Sequence, residues 1–402
     1  MQSLILFDDD NWQGLLPLTF TKPICELRVG ILSIREKWER RLKLNASFIT
    51  QDFLSEKFPL RIDDDNLIIN STILPTDKLI SLIKNLEQDE ALLAGDELLA
   101  ARLSSEQLLK LTEDQPIDEL KGKDVHGVEG LYTQIIRPYD LFTYNGQEII
   151  SDFELITAGR NSKLISNSNR VLNFDQIFIE EGASVELSIL NAENGPIYIG
   201  ADATVMEGSI IRGPFAMCEN SVVKMGAKIY KDTTVGPYAK AGGEINNSIL
   251  SSFSNKGHDG YLGNSILGEW CNLGADTNTS NLKNNYDEIK VWNYNSERFE
   301  KSGLQFCGLI MGDHSKCGIN TMFNTGTVVG VSTNIFGSGY PRNFIPSFSW
   351  GGAKGYTTYQ IAKALDTAGR VMVRRNMTLS DVDINILKHV FFYSAKWRNW
   401  EN

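Results

Sequence analysis

Apolar residues fall on one strict six-residue beat from Ile199 through Val205, Ile211, Met217, Val223, Ile229, Val235 and Ala241, with small or polar residues between them. The beat returns at Met311, Cys317, Phe323, Val329 and Ile335. A period of six suits neither an amphipathic helix nor an alternating hairpin sheet. It predicts a parallel β-helix, in which each short strand turns one side chain inward and the next coil stacks upon it. Gly200 and Gly236 directly follow beat residues, where the chain must corner and a Cβ is costly. Between Phe174 and Pro196 the beat is indistinct, although Ile177, Ile179, Val185 and Leu187 suit strands.

The first 150 residues follow a different pattern. Ser3 to Phe7, Ala46 to Thr50 and Leu67 to Asn70 read as strands. Ile31 to Leu44 and Thr76 to Leu86 read as helices, the first with Arg35, Glu36, Lys37, Glu39, Arg40 and Arg41 on its wet side. Glu90 to Arg102 reads as a β-hairpin turning at Gly95-Asp96. Such alternation predicts a mostly parallel sheet covered by helices. Asn, Ser and Arg dominate from Asn161 to Asn173, which suggests a linker. After Trp350-Gly351-Gly352 helical spacing resumes: Ile361, Leu365, Ala368 and Met372 share a face, and Ser380 with Asp383 suits a cap for a last helix. The expected fold class is α/β plus β-solenoid. Its divisions are a sheet domain over residues 1–155, a linker over 156–175, a β-helix over 176–352 and helices over 353–402.

Composition narrows the function. The formal net charge of −11 disfavours a nucleic-acid partner or an anionic membrane surface. No apolar run approaches a transmembrane span, and the first residues show no basic region with a signal core. Five scattered cysteines argue against a disulfide framework, and Cys218, Cys271, Cys307 and Cys317 read as buried fillers of the repeat. No Cys-x-x-Cys pair points to zinc. The expected setting is soluble, reduced and cytoplasmic.

Between Ala241 and Leu262 the beat fails, as if a loop were thrown outward from the solenoid wall. There the chain reads Lys256-Gly257-His258-Asp259-Gly260-Tyr261-Leu262-Gly263. His258, one of four histidines, stands between glycines, so backbone there can approach a ligand closely. Histidine titrates near neutral pH and can serve as a general base. A surface histidine in a flexible loop is the alternative on spacing alone.

Lys256-Gly257-His258-x-x-Tyr261-Leu262-Gly263, then Asn272-Leu273-Gly274-Ala275, then Asn281, resembles the acetyltransferase half of the bifunctional UDP-N-acetylglucosamine pyrophosphorylase / glucosamine-1-phosphate N-acetyltransferase family. The spacing from His258 to Asn281 matches without a gap, and Met311-Gly312-Asp313-His314 with Gly318 continues it. The resemblance implies a nucleotidyltransferase-like domain followed by a left-handed β-helix, working as a homotrimer. The left hand comes from the family alone, since an ordinary parallel crossover is right-handed. It further implies His258 as the base that deprotonates a sugar amine attacking acetyl-CoA. Tyr261, Asn272 and Asn281 would contact the sugar phosphate, and Ala275 would offer backbone to acetyl-CoA.

Departures accompany the match. A phosphate-pocket lysine of the family becomes Asn246, the tyrosine after Asn281 becomes Leu282, and a hydroxyl position near the thioester becomes Ile319. Lys240, Lys256, Arg212 or Lys224 could supply the missing cation.

The resemblance is weaker at the N-terminus. Pro17-Leu18-Thr19 and the following Pro23 are in place, but Asp8-Asp9-Asp10-Asn11-Trp12-Gln13-Gly14 replaces a glycine-rich phosphate loop. If active, Thr19, Lys22 and Arg28 would hold UTP, with Asp8 or Asp9 and Mg²⁺, and Asn70 or Ser71 would stand where the family has a metal-binding aspartate. The implied activity is acetyl transfer to glucosamine-1-phosphate, then uridylyl transfer giving UDP-N-acetylglucosamine. The alternatives are action on another sugar phosphate with one domain inactive, or a non-catalytic solenoid scaffold. Arg374-Arg375 with Lys363 and Arg370 suits either CoA phosphates or a solvated helix face. Phe391-Phe392-Tyr393 with Trp397 and Trp400 suits packing of the final helix.

Overall fold

A computed structural model describes residues 2–113, 115–116 and 120–401. The chain divides into two compact units. One comprises residues 1–15, 22–27 and 32–136; the other comprises 16–21, 28–31 and 137–402.

In the first unit, strands line up in the order Ala46–Ile49, Gln2–Phe7, Asp65–Asn70, Glu97–Ser104, Glu90–Ala94, Lys121–Asp124. The first three are mutually parallel, whereas Glu97–Ser104 runs antiparallel to both its neighbours. The sheet is therefore mixed rather than mostly parallel. The tight hairpin at Gly95, with φ +63°, reverses the chain at once and forces that direction. Ser33 and Glu36 form a capping box that starts the helix Ile34–Leu42, later than the apolar pattern suggested. Thr76 caps Asp77–Lys84 in the same way.

The second unit is a three-sided parallel β-helix. Face one runs from Ile177–Ile179 to Phe344–Ile345, face two from Ser184–Val185 to Ser349–Gly352, and face three from Arg170–Leu172 to Tyr261–Gly263, continued by Asn278–Thr279 and Met322–Phe323. The six-residue beat supplies the interior. Val205 stacks on Val223 and then Ala241, each eighteen residues on. The break after Ala241 is a shortening of the coil, not an outward loop: Val235 pairs with Leu250 and Ala241 with Lys256, each fifteen residues on. His258 thus belongs to the wall. The outward excursion comes later, where Leu273 and Cys317 are neighbours although 44 residues apart. The inserted stretch carries the antiparallel hairpin Lys290–Asn293 and Arg298–Lys301.

The expected linker is already solenoid. Arg170–Leu172 pairs with Ile189–Asn191, and Asn169, nearly buried, donates to Val185 O at 2.8 Å while accepting from Ser188 N at 2.9 Å. Its carboxamide closes the first coil, which is why an Asn-rich stretch can be ordered there.

Ala216, Thr234, Ile249 and Ile266 face outward from face one yet are buried, and the helix Pro138–Thr157 packs on that face. This helix groups with the solenoid, so the first unit stops at Ile136, short of residue 155. Two early segments group with it as well. Gly30 donates to Asn145 Oδ1 at 2.8 Å, Thr234 Oγ1 donates to Gly30 O at 2.9 Å, and Thr21 Oγ1 donates to Asp313 Oδ2 at 2.6 Å. Gly30 has φ +82°, and a Cβ there would lie 2.5 Å from Asp152 Oδ2, so no other residue fits. At the far end, Ser349–Gly352 pairs with Gly355–Thr358 and ends the coil. The helices Ile361–Val373 and Asp381–Tyr393 follow, the latter capped by Ser380.

Candidate functional site

Where face two turns into face three, each coil contributes three successive positions. An outward residue comes first: Lys240, Asn255, Asn272, Lys316 and Asn334 stack in that order. An inward residue follows, then a corner residue: Gly242, Gly257, Gly274, Gly318 and finally Phe336. The glycines allow close stacking. A Cβ at Gly242 would lie 2.7 Å from Gly257 O, and one at Gly274 would lie 2.5 Å from Gly318 C. Four of these five corner positions therefore carry no side chain of their own, and the Lys224 stem and Phe336 flank the glycine corner. His258, Ala275 and Ile319 stand immediately beyond it on successive coils; His258 and Ile319 are exposed and Ala275 is half-buried. The imidazole is exposed and makes no hydrogen bond among the described residues.

What holds the His258 turn is a residue at an inward position. Lys256 occupies the place of Ala241 below and Leu273 above, and is 2 % exposed. Its Nζ donates to His258 O at 2.6 Å and to Asp259 O at 3.2 Å. Burial pushes its ammonium down to about 8, against the opposing pull of Asp259 and Asp276. Lys256 is thus a clamp inside the prism and not a phosphate ligand, a correction to its expected role.

On face three, Asn281 Nδ2 donates to Tyr261 Oη at 3.1 Å and to Asn264 Oδ1 at 2.8 Å, and the Asn246 side chain also bonds the Tyr261 hydroxyl. Burial raises the Tyr261 phenol above its usual range. Gly263 makes room for this group, since a Cβ there would sit 2.3 Å from Tyr261 Oη. Of the residues expected around the sugar phosphate, Asn246, Tyr261 and Asn281 come together. Asn272 does not join them: it faces out of face two and accepts from Asn255 Nδ2 at 2.7 Å.

Sequence reasoning left a cationic group unassembled. The aliphatic stem of Lys224 lies against the corner, its Cβ 3.1 Å from where a Cβ at Gly242 would be. Lys240 is held below its ordinary range by burial and by the charges of Arg375, Lys224 and Arg374. Arg374 and Arg375 thus gather with Lys224 and Lys240, whereas Arg370 pairs with Asp366 at 3.0 Å. Only the fold brings positions 224 and 374 together.

In the first unit, Asp8, Asp9 and Asn70 meet at the C-terminal ends of the parallel strands Gln2–Phe7 and Asp65–Asn70, where open α/β sheets bind ligands. Asp8 accepts from Thr50 Oγ1 at 2.7 Å and Ile24 N at 3.1 Å, and burial pushes its carboxyl up to about 7. Asp9 accepts from Asn70 Nδ2, Asn11 N and Asn11 Nδ2, all at 2.9 Å. Asn70 is itself consumed, accepting from Thr72 N and Oγ1. These groups do not fit Mg²⁺ as expected: burial raises one carboxyl to about 7, the other already accepts three hydrogen bonds from amides, and no cluster of three His, Cys, Asp or Glu side chains suited to a metal occurs among the described residues. The expected UTP ligands are divided between the two units. Thr19 is fully buried and groups with the second unit, as does Arg28, which donates to Ile31 O. Lys22 groups with the first unit and is buried.

Asp8 yields a stability prediction. Its folded-state proton affinity exceeds the unfolded one, so its contribution is present at pH 4 and fades as pH rises toward 7. The full swing is at most about 4 kcal/mol. Denaturant midpoints measured from pH 4 to 7 should fall less steeply for Asp8→Asn than for the parent chain.

Comparison with known proteins matches this architecture. Residues 4–161 match the family model described as sugar nucleotidyl transferase. The chain therefore joins a segment similar to sugar nucleotidyl transferases to a three-sided parallel β-helix. It is similar to several bifunctional GlmU proteins. It is 40 % identical over 87 residues to the bifunctional protein GlmU of Methanocaldococcus jannaschii, covering 22 % of this chain and 21 % of that one. To the bifunctional protein GlmU of Wigglesworthia glossinidia brevipalpis it is 26 % identical over 236 residues, covering 57 % and 43 %. An uncharacterized acetyltransferase of Escherichia coli, YaiX, is 25 % identical over 175 residues, covering 43 % of this chain and 70 % of that one. The chain spans less than half the length of either GlmU relative. Among the described residues no helix is long and apolar enough to cross a membrane, and all five cysteines are free and buried.

Proposed function

We propose that the solenoid transfers an acetyl group from acetyl-CoA to the amine of an amino-sugar phosphate, with glucosamine-1-phosphate as the leading substrate. One observation carries this reading: an exposed imidazole at the middle of a glycine groove, on a turn anchored from inside by Lys256. In the reaction the amine attacks the thioester carbon, a C–N bond forms, and the C–S bond breaks. His258 accepts the amine proton, and the departing thiolate takes a proton in turn. The groove beside Ala275 and Ile319 would admit a thin acyl thioester chain. The carboxamides of Asn246 and Asn281 with the Tyr261 hydroxyl would fix the sugar. A homotrimer is part of the proposal, by likeness to the hexapeptide class.

For the first unit the family match supports uridylyl transfer from UTP, which would complete UDP-N-acetylglucosamine. A second reading has its own support: an acetyltransferase whose nucleotidyl domain is inactive. Thr19 is buried in the other unit, and the Asp8–Asp9–Asn70 group does not fit Mg²⁺. A paired assay separates the two. Acetyl-CoA with glucosamine-1-phosphate should release free thiol. UTP with N-acetylglucosamine-1-phosphate and Mg²⁺ should release pyrophosphate only if the first unit is active. Absence of thiol across a panel of amino-sugar phosphates would defeat the acetyl-transfer reading.

A further inference from the structure

A cavity of about 740 Å³ lies at a different corner of the prism, where face three turns into face one. The inserted hairpin walls it with Lys290 and Phe299, the insertion adds Lys283, and the corner walls it with Arg342, Phe344 and the polar residues Asn324, Thr325 and Asn343. The volume falls within the range of about 300–1,000 Å³ common to small-molecule sites.

Its chemistry is specific. Among the described residues, Lys283, Lys290 and Arg342 have no carboxylate within ion-pair distance. Two acidic groups of the insertion are engaged elsewhere: Glu288 meets Lys301 at 3.5 Å, and Glu300 meets Arg298 at 3.4 Å and Asn293 at 2.7 Å. Lys283 donates once, to Glu288 O at 2.9 Å, and keeps two protons for another acceptor. Like charges gathered around one space repel, so three uncompensated cations are best explained by an anion that meets them. The rings are set in advance. Trp292 stacks on Phe344 at 4.1 Å with 9° between planes and meets Phe299 edge-on at 5.4 Å. Phe299 remains 41 % exposed, offering its face.

We infer that this cavity binds a nucleoside phosphate, its phosphate on Lys283, Lys290 and Arg342 and its base against Phe299 and Phe344. The insertion builds the site: without the extra residues between Leu273 and Cys317 the corner would lack Lys283, Lys290 and Phe299. The inference is independent of the proposed acetyl transfer, because the glycine groove lies at another corner.

Calorimetric titration of the full chain with UMP, AMP, uridine and inorganic phosphate tests it. A nucleoside monophosphate should bind, with both uridine and phosphate weaker by about tenfold or more. The double variant Lys290→Ala/Arg342→Ala, altering two exposed side chains, should weaken nucleotide binding about tenfold or more, and Phe299→Ala several-fold. His258→Ala should bind as the parent does. No nucleotide binding, binding unaffected by the double variant, or phosphate binding as tightly as the nucleotide would overturn the assignment.

Discussion

His258→Ala should lower acetylation of an amino-sugar phosphate by about 10²-fold or more, the usual worth of a positioned general base. The loss should fall on turnover more than on substrate affinity, because the imidazole acts on a proton that moves only during bond formation. Stability should change by less than about 0.5 kcal/mol, since the ring is exposed and makes no hydrogen bond among the described residues. Thiol release at saturating acetyl-CoA, together with a denaturation curve, measures both. Parent-level turnover in the variant would remove His258 from the chemistry and with it the central claim about the groove.

Lys256→Met should separate positioning from folding. Methionine roughly matches the lysine stem in volume and belongs among the apolar residues of the interior. It cannot donate to His258 O or Asp259 O, so the turn loses its anchor. The expected result is a folded solenoid whose kcat falls about tenfold, with KM much less affected. Stability carries a separate signature. Burial lowers the lysine from 10.5 to about 8, so between those values the unfolded chain binds the proton that the folded chain has lost. Stability of the parent should therefore rise through that interval by up to about 3 kcal/mol, and the Met variant should lack the slope. Urea midpoints at pH 7.5 and 10.5 decide it. Full activity in the Met variant would make Lys256 a mere filler of the interior.

The parts of the molecule differ in how far the chain betrays them, for physical reasons. Ile199 to Ala241 is readable because each coil there takes eighteen residues, so every inward position repeats on the same beat. Past Ala241 coils of fifteen to seventeen residues shift the phase, and a continuing wall imitates a loop. Lys256 is hidden by the same effect. A lysine ordinarily marks an outward position, and only its pairing with Ala241 reveals that it points inward. Counting from Ala241 to Leu273 through an assumed short coil would have exposed it. Asn246, Tyr261 and Asn281 are legible only through the likeness of this stretch to a known family, and the fold brings their side chains together on face three. The gathering of Lys224 with Arg374 has no local signal, since helix packing at the far end of the chain creates it. The Pro17-Leu18-Thr19 stretch misleads for the opposite reason. Its motif suggests a nucleotide contact, but Thr19 is buried among residues of the second unit.

That placement bears on any attempt to dissect the polypeptide. A fragment opening near residue 160 would surrender the helix Pro138–Thr157 together with the strap at Gly30 and Thr21. Ala216, Ile249 and Ile266 would then meet solvent, and Thr234 and Asp313 would forfeit partners. Such a truncation would precipitate or swap segments between copies sooner than report the intrinsic competence of the coils, so silence from it in an assay would say nothing about the intact chain.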